Sequence, residues 1–149
     1  MVLKRAKDLD IEIISVPTED GISSLAFSFK NILEDYGEEI VELAMDLTCE
    51  VIFSSPNFTN TNLVHTGKTN ALGYELYGIV GEANGQVLPL AFTFTCSTDG
   101  TAAPGAKDRM LQSVLQRIND CCPNITNVHL DKDPTELSAV HTVFHNAKA

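Results

Sequence analysis

The sequence predicts one domain with a mixed α/β fold. An Asn84-Gly85 pair between two apolar runs indicates a β-hairpin, and a helical apolar pattern follows from residue 106. A further short apolar run at 127–130 comes after that helix. An antiparallel hairpin followed by a helical crossover and another strand is typical of a mixed sheet with flanking helices. A chain of 149 residues, 44% of them hydrophobic, is long enough for one core.

The first third of the chain predicts little regular structure, then a helix and a strand. Residues 1–21 form a poorly defined N-terminal segment in which 11–16 could be a short strand. Apolar residues recur at helical spacing over 22–36, and Gly37 is placed to end that helix. The run 40–45 then predicts a buried strand that delivers Asp46 at its end. The apolar helix positions are Leu25, Phe29, Ile32, Leu33 and Tyr36.

The hairpin strands are predicted at 72–80 and 87–94, because Asn84 and Gly85 both tolerate the positive φ of a tight turn. Pro89 has no backbone donor, which favours an edge position for the second strand. Strict alternation would place the apolar residues of that strand on one face. These residues are Leu88, Leu90, Phe92 and Phe94.

The last third predicts a loop at 97–105, a helix at 106–120, a strand at 127–130 that ends at Asp131, and a final helix. The start of the final helix is well marked. Asp133 is the expected N-cap, Pro134 the first helical residue, and Glu136 lies three residues after the cap. We therefore interpret Asp133 as a cap rather than a metal ligand.

Composition limits the class of function. The net charge is −10, and the ten basic residues are scattered, so we expect no basic surface for tight DNA binding by this chain alone. No run of about 18 apolar residues is present, so no membrane partner is expected. The four cysteines lack a zinc-binding spacing and are interpreted as reduced thiols.

Four stretches in order carry a resemblance to a known family. They are Glu42-Leu43-Ala44-Met45-Asp46-Leu47-Thr48, residues 68–85 beginning Lys68-Thr69-Asn70, Leu88-Pro89-Leu90-Ala91-Phe92, and Leu130-Asp131-Lys132-Asp133. Together they resemble the transposase domain of Mutator-like elements (MULEs), especially the fungal members. The resemblance covers roughly residues 30–149.

The resemblance implies an RNase H-like fold and a DDE active site, in which carboxylates hold Mg²⁺ or Mn²⁺ at a scissile DNA phosphodiester. By motif position, Asp46 would be the first catalytic, metal-binding carboxylate and Asp131 the second. The implied partner is DNA at the transposon ends, and the implied location is the nucleus. The sequence shows no targeting signal, so the expected location is otherwise the cytoplasm.

The chain also departs from the family pattern. The family has a third carboxylate, a glutamate on a later helix, and a Cys/His segment after the second aspartate. Neither has a counterpart in this chain. Residues 22–149 are therefore expected to be a partial domain, incomplete at the C-terminus and catalytically inactive. Residues 50–67 interrupt the first motif and are interpreted as an insertion, which we hypothesise to be a retained intron. The alternative is a non-catalytic acidic protein-interaction module, in which Asp46 and Asp131 are solvated or capping residues.

Overall fold

The computed structural model describes residues 10–17, 21–48, 75–97, 102–131 and 133–149. Within these ranges the chain forms six β-strands, three α-helices and a 3₁₀ turn at Gly37–Glu39. The strands are β1 (Ile11–Ile14), β2 (Ile22–Phe29), β3 (Glu42–Thr48), β4 (Glu75–Ala83), β5 (Gln86–Ser97) and β6 (Asn127–Leu130). The helices are α1 (Lys30–Tyr36), α2 (Ala106–Cys121) and α3 (Pro134–Val143). The interpreted insertion at 50–67 lies outside the described residues.

All six strands belong to one sheet in the order β1-β2-β5-β4-β3-β6. Neighbouring strands are antiparallel except β6, which runs parallel to β3. The chain reaches β6 from β5 through α2, because a strand that joins a sheet in parallel needs a long crossover connection. The predicted mixed α/β class, with an antiparallel meander, one parallel strand and flanking helices, is confirmed. The first strand, β1, lies within the segment 1–21 and pairs with β2.

The helices cover one face of the sheet and form the core with it. The helix predicted at 106–120 is confirmed as α2, and the five apolar side chains of its predicted stripe are all fully buried. Helix α2 packs against β1, β2 and β5 and against α3. Each buried large aliphatic side chain stabilises the fold by about 1.5–3 kcal/mol. The stripe is Met110, Leu111, Val114, Leu115 and Ile118.

The opposite face of the sheet carries an aromatic cluster. Phe27 lies between Phe92 and Phe94 of β5, with ring centroids 5.8 and 6.4 Å away, and Phe29 contacts Phe92 edge to face at 6.0 Å. Beside this cluster Leu25 is 51% exposed. This face is therefore apolar and partly open to solvent over the described residues.

The predicted helix over 22–36 is wrong for its first half, because Ile22–Phe29 forms strand β2 and the helix begins at Lys30. Small residues at alternate positions, such as Ala26 and Ser28, are buried between larger ones that face the other way. This alternation of period two competed with the helical spacing in the sequence. Pairing on both sides, with β1 and β5, decides in favour of the strand.

The hairpin prediction is confirmed. Asn84 and Gly85 connect β4 to β5 with φ values of 53° and 78°, as a two-residue turn with two left-handed residues requires. The backbone amide of Gly85 also donates a hydrogen bond of 2.6 Å to the Glu82 carboxylate. The turn therefore sets the register of the two central strands.

The prediction that β5 is an edge strand is wrong, because β5 lies between β2 and β4. Pro89 is tolerated because β2 pairs with β5 only from Ala91 onward, so the strand has a single neighbour at the proline. A β-bulge on the β4 side pairs Val80 with Pro89 and Ile79 with Ala91.

The bulge also overturns the prediction that four apolar residues of β5 share a face. The extra residue, Leu90, shifts the alternation by one position. Leu90 and Ala91 are both fully buried, whereas Phe92 and Phe94 lie in the aromatic cluster on the opposite face. The strict period of two assumed from the sequence fails at this bulge.

Candidate functional site

Asp46 lies inside strand β3 rather than after its end, so the predicted strand limits of 40–45 are wrong. Its Cα partner is Gly78 of β4, and two further residues continue β3 beyond it. Leu43 and Met45 are buried in the core, and strand alternation turns the exposed Asp46 to the opposite side. The carboxylate is therefore accessible to solvent and to a ligand.

Asp131 follows directly after the parallel strand β6. The last paired residues of the two strands are Met45 and Leu130, so Asp46 and Asp131 are the next residues in the same register. Neighbouring strands lie about 4.8 Å apart. The parallel, adjacent strands that the sequence hypothesis required are thus present, and they bring the backbones of the two aspartates side by side.

Glu136, in the first turn of α3, is a buried acidic residue that the helix-start pattern alone does not mark as unusual. Its side chain is 1% exposed and its Oε2 atom has no hydrogen-bond partner within the described ranges. Burial raises its pKa to about 7, and the charges of Asp133, Asp46 and Asp131 act in the same direction. Burial and the acidic surroundings therefore favour the neutral form of Glu136 more than for a glutamate in solvent.

A signal for the burial of Glu136 exists in the sequence. Ala139, Val140 and Val143 follow it at i+3, i+4 and i+7 and are buried with it on the inner face of α3. Because glutamate is polar, the buried face of α3 is easily taken to begin one turn later, at Ala139. The spacing would have placed Glu136 in the core.

Asp133 caps α3 as predicted. Its Oδ1 accepts hydrogen bonds from the backbone amides of Thr135, at 2.7 Å, and Glu136, at 3.3 Å. Burial alone would raise the pKa of Asp133, but these amide hydrogen bonds outweigh it and hold the pKa below its ordinary value. One carboxylate oxygen of Asp133 is thus committed to the helix N-terminus.

Lys107 brings a positive charge to this region from α2. Its Nζ lies 2.9 Å from the Glu75 carboxylate and 5.3 Å from the centre of the Tyr77 ring. Burial opposes the charged form of Lys107, but its contacts with Tyr77 and Glu75 prevail and raise its pKa. Burial raises the pKa of Tyr77 to about 12, so this side chain is a neutral phenol at physiological pH.

The oxygen donors present fit a hard cation such as Mg²⁺ or Mn²⁺. The fit is limited to the aspartate pair, because over the described residues no three Asp, Glu, His or Cys side chains are arranged to hold a metal ion. Magnesium is commonly held by one or two protein carboxylates, with water and substrate phosphate completing its octahedron. Asp46 and Asp131 are the residues that would supply the two carboxylates of such a site, because their strands are adjacent and in register.

Comparisons with protein-family models, curated proteins and solved structures gave no match for this chain. No helix in the described ranges is both long and apolar enough to cross a membrane.

Proposed function

We propose that this chain is a transposase-derived domain of the Mutator-like type, with an RNase H-like fold and a divalent-cation site at Asp46 and Asp131. The observation that carries the proposal is the register of β3 and β6. It sets side by side two aspartates that are 85 positions apart in the sequence and that coincide with two motifs of the family.

The sheet supports the same proposal. Three consecutive strands, β3, β4 and β5, form an antiparallel meander, and β6 joins next to β3 in parallel after a helical crossover. This is the strand arrangement that the family resemblance implies. Strands β1 and β2 extend the sheet beyond β5, on the side away from the aspartates.

A divalent cation bound at this site would activate a nucleophile and stabilise the leaving oxygen at a DNA phosphodiester. Asp46 and Asp131 would hold the cation, and the exposure of both carboxylates leaves room for a phosphate oxygen and water. The chain carries two of the three family carboxylates, so we expect cation binding without strand transfer by this chain alone.

DNA is the proposed partner, with the nucleus as the proposed location. A net charge of −10 gives the chain little affinity of its own for phosphates, because phosphate contacts by Lys and Arg supply most of non-specific DNA binding. We therefore expect DNA recognition to depend on a bound cation and on protein regions or subunits of opposite charge.

The test is a Mn²⁺ titration of the purified chain by calorimetry and by Mn²⁺ electron paramagnetic resonance. We expect weak binding, with a dissociation constant on the order of 1 mM for a two-carboxylate site, and its loss in both Asp46→Asn and Asp131→Asn. Asp35→Asn, on the exposed side of α1, is the matched control and should bind as the parent does. Binding that persists in both site variants contradicts the proposal.

The alternative function is a non-catalytic acidic protein-interaction module. The partly open apolar face around Phe27 and Phe94, together with the net charge of −10, favours it. This alternative expects no Mn²⁺ binding by the parent chain at millimolar concentration.

A further inference from the structure

The outer face of the sheet, which lies opposite the helices, changes from apolar to acidic along one row of paired residues. Cross-strand pairing aligns Ile13 of β1 with Phe27 of β2, and Phe27 with Phe92 of β5. Phe92 pairs in turn with Gly78 of β4, and Gly78 with Asp46 of β3. Directly paired residues point to the same face of a sheet. The row therefore leads from an aliphatic side chain across two aromatic rings to the proposed cation site.

The β1, β2 and β5 part of this face exposes large apolar side chains. Ile13 is 64% exposed, Leu25 51% and Phe94 38%. A groove of about 300 Å³ lies beside Leu25 and Phe94 and is lined also by Ser23 and Ser24. Contiguous apolar surface of this kind marks a site of interaction. The residues that form it, called the apolar patch below, are Ile13, Leu25, Phe27, Phe29, Phe92 and Phe94.

The apolar patch lies apart from the charged side chains of the sheet. Among the outward-facing strand residues that the structure describes, the acidic ones are Glu42 and Asp46 on β3 and Glu82 at the hairpin end of β4. Glu12 of β1 points to the helices, where Arg117 of α2 pairs with it at 2.7 Å. A nucleic-acid strand needs Lys or Arg to neutralise its phosphates, and the patch contains neither. The patch therefore suits a partner surface that is itself apolar and uncharged.

A second copy of the chain supplies such a surface. Two copies that each carry a net charge of −10 repel one another. A contact through the apolar patch joins their uncharged parts and leaves the carboxylates of β3 and β4 at its rim. A contact that uses the same patch on both subunits is the isologous type found in two-fold dimers.

The size of the apolar patch predicts a weak dimer. Strand β2 has eight residues, so the patch is roughly 26 Å long at about 3.3 Å per residue. Three neighbouring strands and the adjoining edge of β4 span roughly 15–19 Å. Two copies would therefore cover roughly 800–1,000 Å² in projection, at the lower end of specific interfaces. We expect association in the micromolar range or weaker.

We infer that the apolar patch is the contact surface between two copies of this chain, packed sheet against sheet as in a β-sandwich. The groove beside Leu25 and Phe94 gives each copy a recess for an apolar side chain of the other. The inference goes beyond the proposed function and does not depend on cation binding by Asp46 and Asp131.

Sedimentation equilibrium of the full chain between about 1 µM and about 500 µM tests this inference. The average mass should rise from 16.2 kDa toward twice that value as the concentration increases. Added salt should strengthen the association, because it screens the repulsion between two acidic copies. A parent chain that stays monomeric throughout overturns the inference, and so does an association that salt weakens.

Charge placed at Leu25 tests whether the two patches face one another. Leu25→Glu and Leu25→Lys should each weaken the dimer at least about 10-fold, since like charges would meet across the interface. An equimolar mixture of the two variants should recover a dimer, because opposite charges then meet. The matched control is Tyr36→Glu on α1, at a side chain that is 40% exposed and lies outside the sheet, and it should associate as the parent does.

Thermal unfolding verifies that each variant is folded, and Ile13→Glu repeats the test at a more exposed position of the patch. Dimers that persist in the folded charge variants, or a mixture that recovers none, overturn the inference. If a monomeric parent chain binds a short single-stranded DNA that Leu25→Glu no longer binds, the patch is a nucleic-acid surface and the inference is wrong.

Mn²⁺ titration separates this inference from the proposed function. Leu25 lies three strands away from Asp46 in the sheet, so Leu25→Glu should bind Mn²⁺ as the parent chain does. A parent chain that dimerises through the patch but binds no Mn²⁺ supports this inference and contradicts the cation site.

Discussion

Gly37 should be the least replaceable glycine of the described chain, and the reason is contact rather than backbone conformation. Its φ of −55° is accessible to any residue. A Cβ atom built on Gly37, however, would overlap the carbonyl oxygen of Cys121 and lie 3.0 Å from its carbonyl carbon. Because the obstacle is the backbone at the end of α2, it cannot rotate away as a flexible side chain could.

The expected cost of Gly37→Ala follows from two opposing effects. Overpacking in a rigid site typically destabilises by about 1–3 kcal/mol. Alanine would recover up to about 1 kcal/mol of helix propensity at this helical position. Because the obstacle is backbone, so that α1 and α2 must separate by several tenths of an ångström, the overpacking cost should lie near the upper end, about 2–3 kcal/mol. We therefore expect a net loss of about 1–2 kcal/mol in the free energy of unfolding.

Urea unfolding followed by circular dichroism measures this loss. For a chain of this size a change of 1–2 kcal/mol lowers the melting temperature by roughly 2–8 °C. The matched control is Gly78→Ala in β4, where the new Cβ would lie 3.5 Å from Phe92, an ordinary contact. That substitution should be neutral or stabilising by up to about 1 kcal/mol, since glycine weakens a strand.

If Gly37→Ala is as stable as the parent chain, the predicted steric overlap with Cys121 is wrong. It is also wrong if the two alanine variants lose equal stability. In either case the approach of the Gly37–Glu39 turn to the end of α2 would not be a rigid contact.

Three further predictions concern a core residue of α2, the N-cap of α3 and the buried glutamate of α3. Leu115→Ala, at a fully buried position, should destabilise by about 2–5 kcal/mol in the same urea assay, and a loss below 1 kcal/mol would contradict its place in the core. Asp133→Ala removes the cap of α3 and should lower the free energy of unfolding by about 1 kcal/mol at neutral pH. The pKa of Asp133 is held low in the folded chain, so the difference between parent and variant should shrink as the pH falls through that pKa. The pKa of Glu136 rises from 4.5 to about 7 on folding, so its contribution to stability is complete below about pH 4.5 and is lost as the pH rises through 7. Compared with Glu136→Gln, the parent should therefore lose up to about 3 kcal/mol in the free energy of unfolding between pH 5 and 8. If the stability of the two proteins changes in parallel with pH, Glu136 does not titrate in this range.

Elements with strong local signals were predictable from the sequence. The Asn84-Gly85 turn needs only two residues that tolerate positive φ, and the Asp133-Pro134 start needs only a side-chain acceptor and a fixed φ. The apolar stripe of α2 is likewise local, because its members from Met110 to Ile118 recur every three or four residues within one helix. Each of these features depends on residues within a few positions of one another.

The errors have a common physical cause, which is pairing with distant strands. Residues 22–29 satisfied a helical and an alternating pattern at once, and partners more than 60 positions away on β5 selected the strand. The bulge at Leu90 and the tolerance of Pro89 depend on where β2 stops pairing with β5. No local pattern contains that information.

The sequence alone determined the mixed α/β class, the position of the hairpin, the helix 106–120 and the cap of the last helix. It also supplied Asp46 and Asp131 as candidates, through their motifs. Only the tertiary structure decided that the two strands pair in a register that makes these aspartates neighbours, and that Glu136 of α3 is buried. Register and burial arise from contacts between residues far apart in the chain, so they are properties of the assembled sheet and its helices.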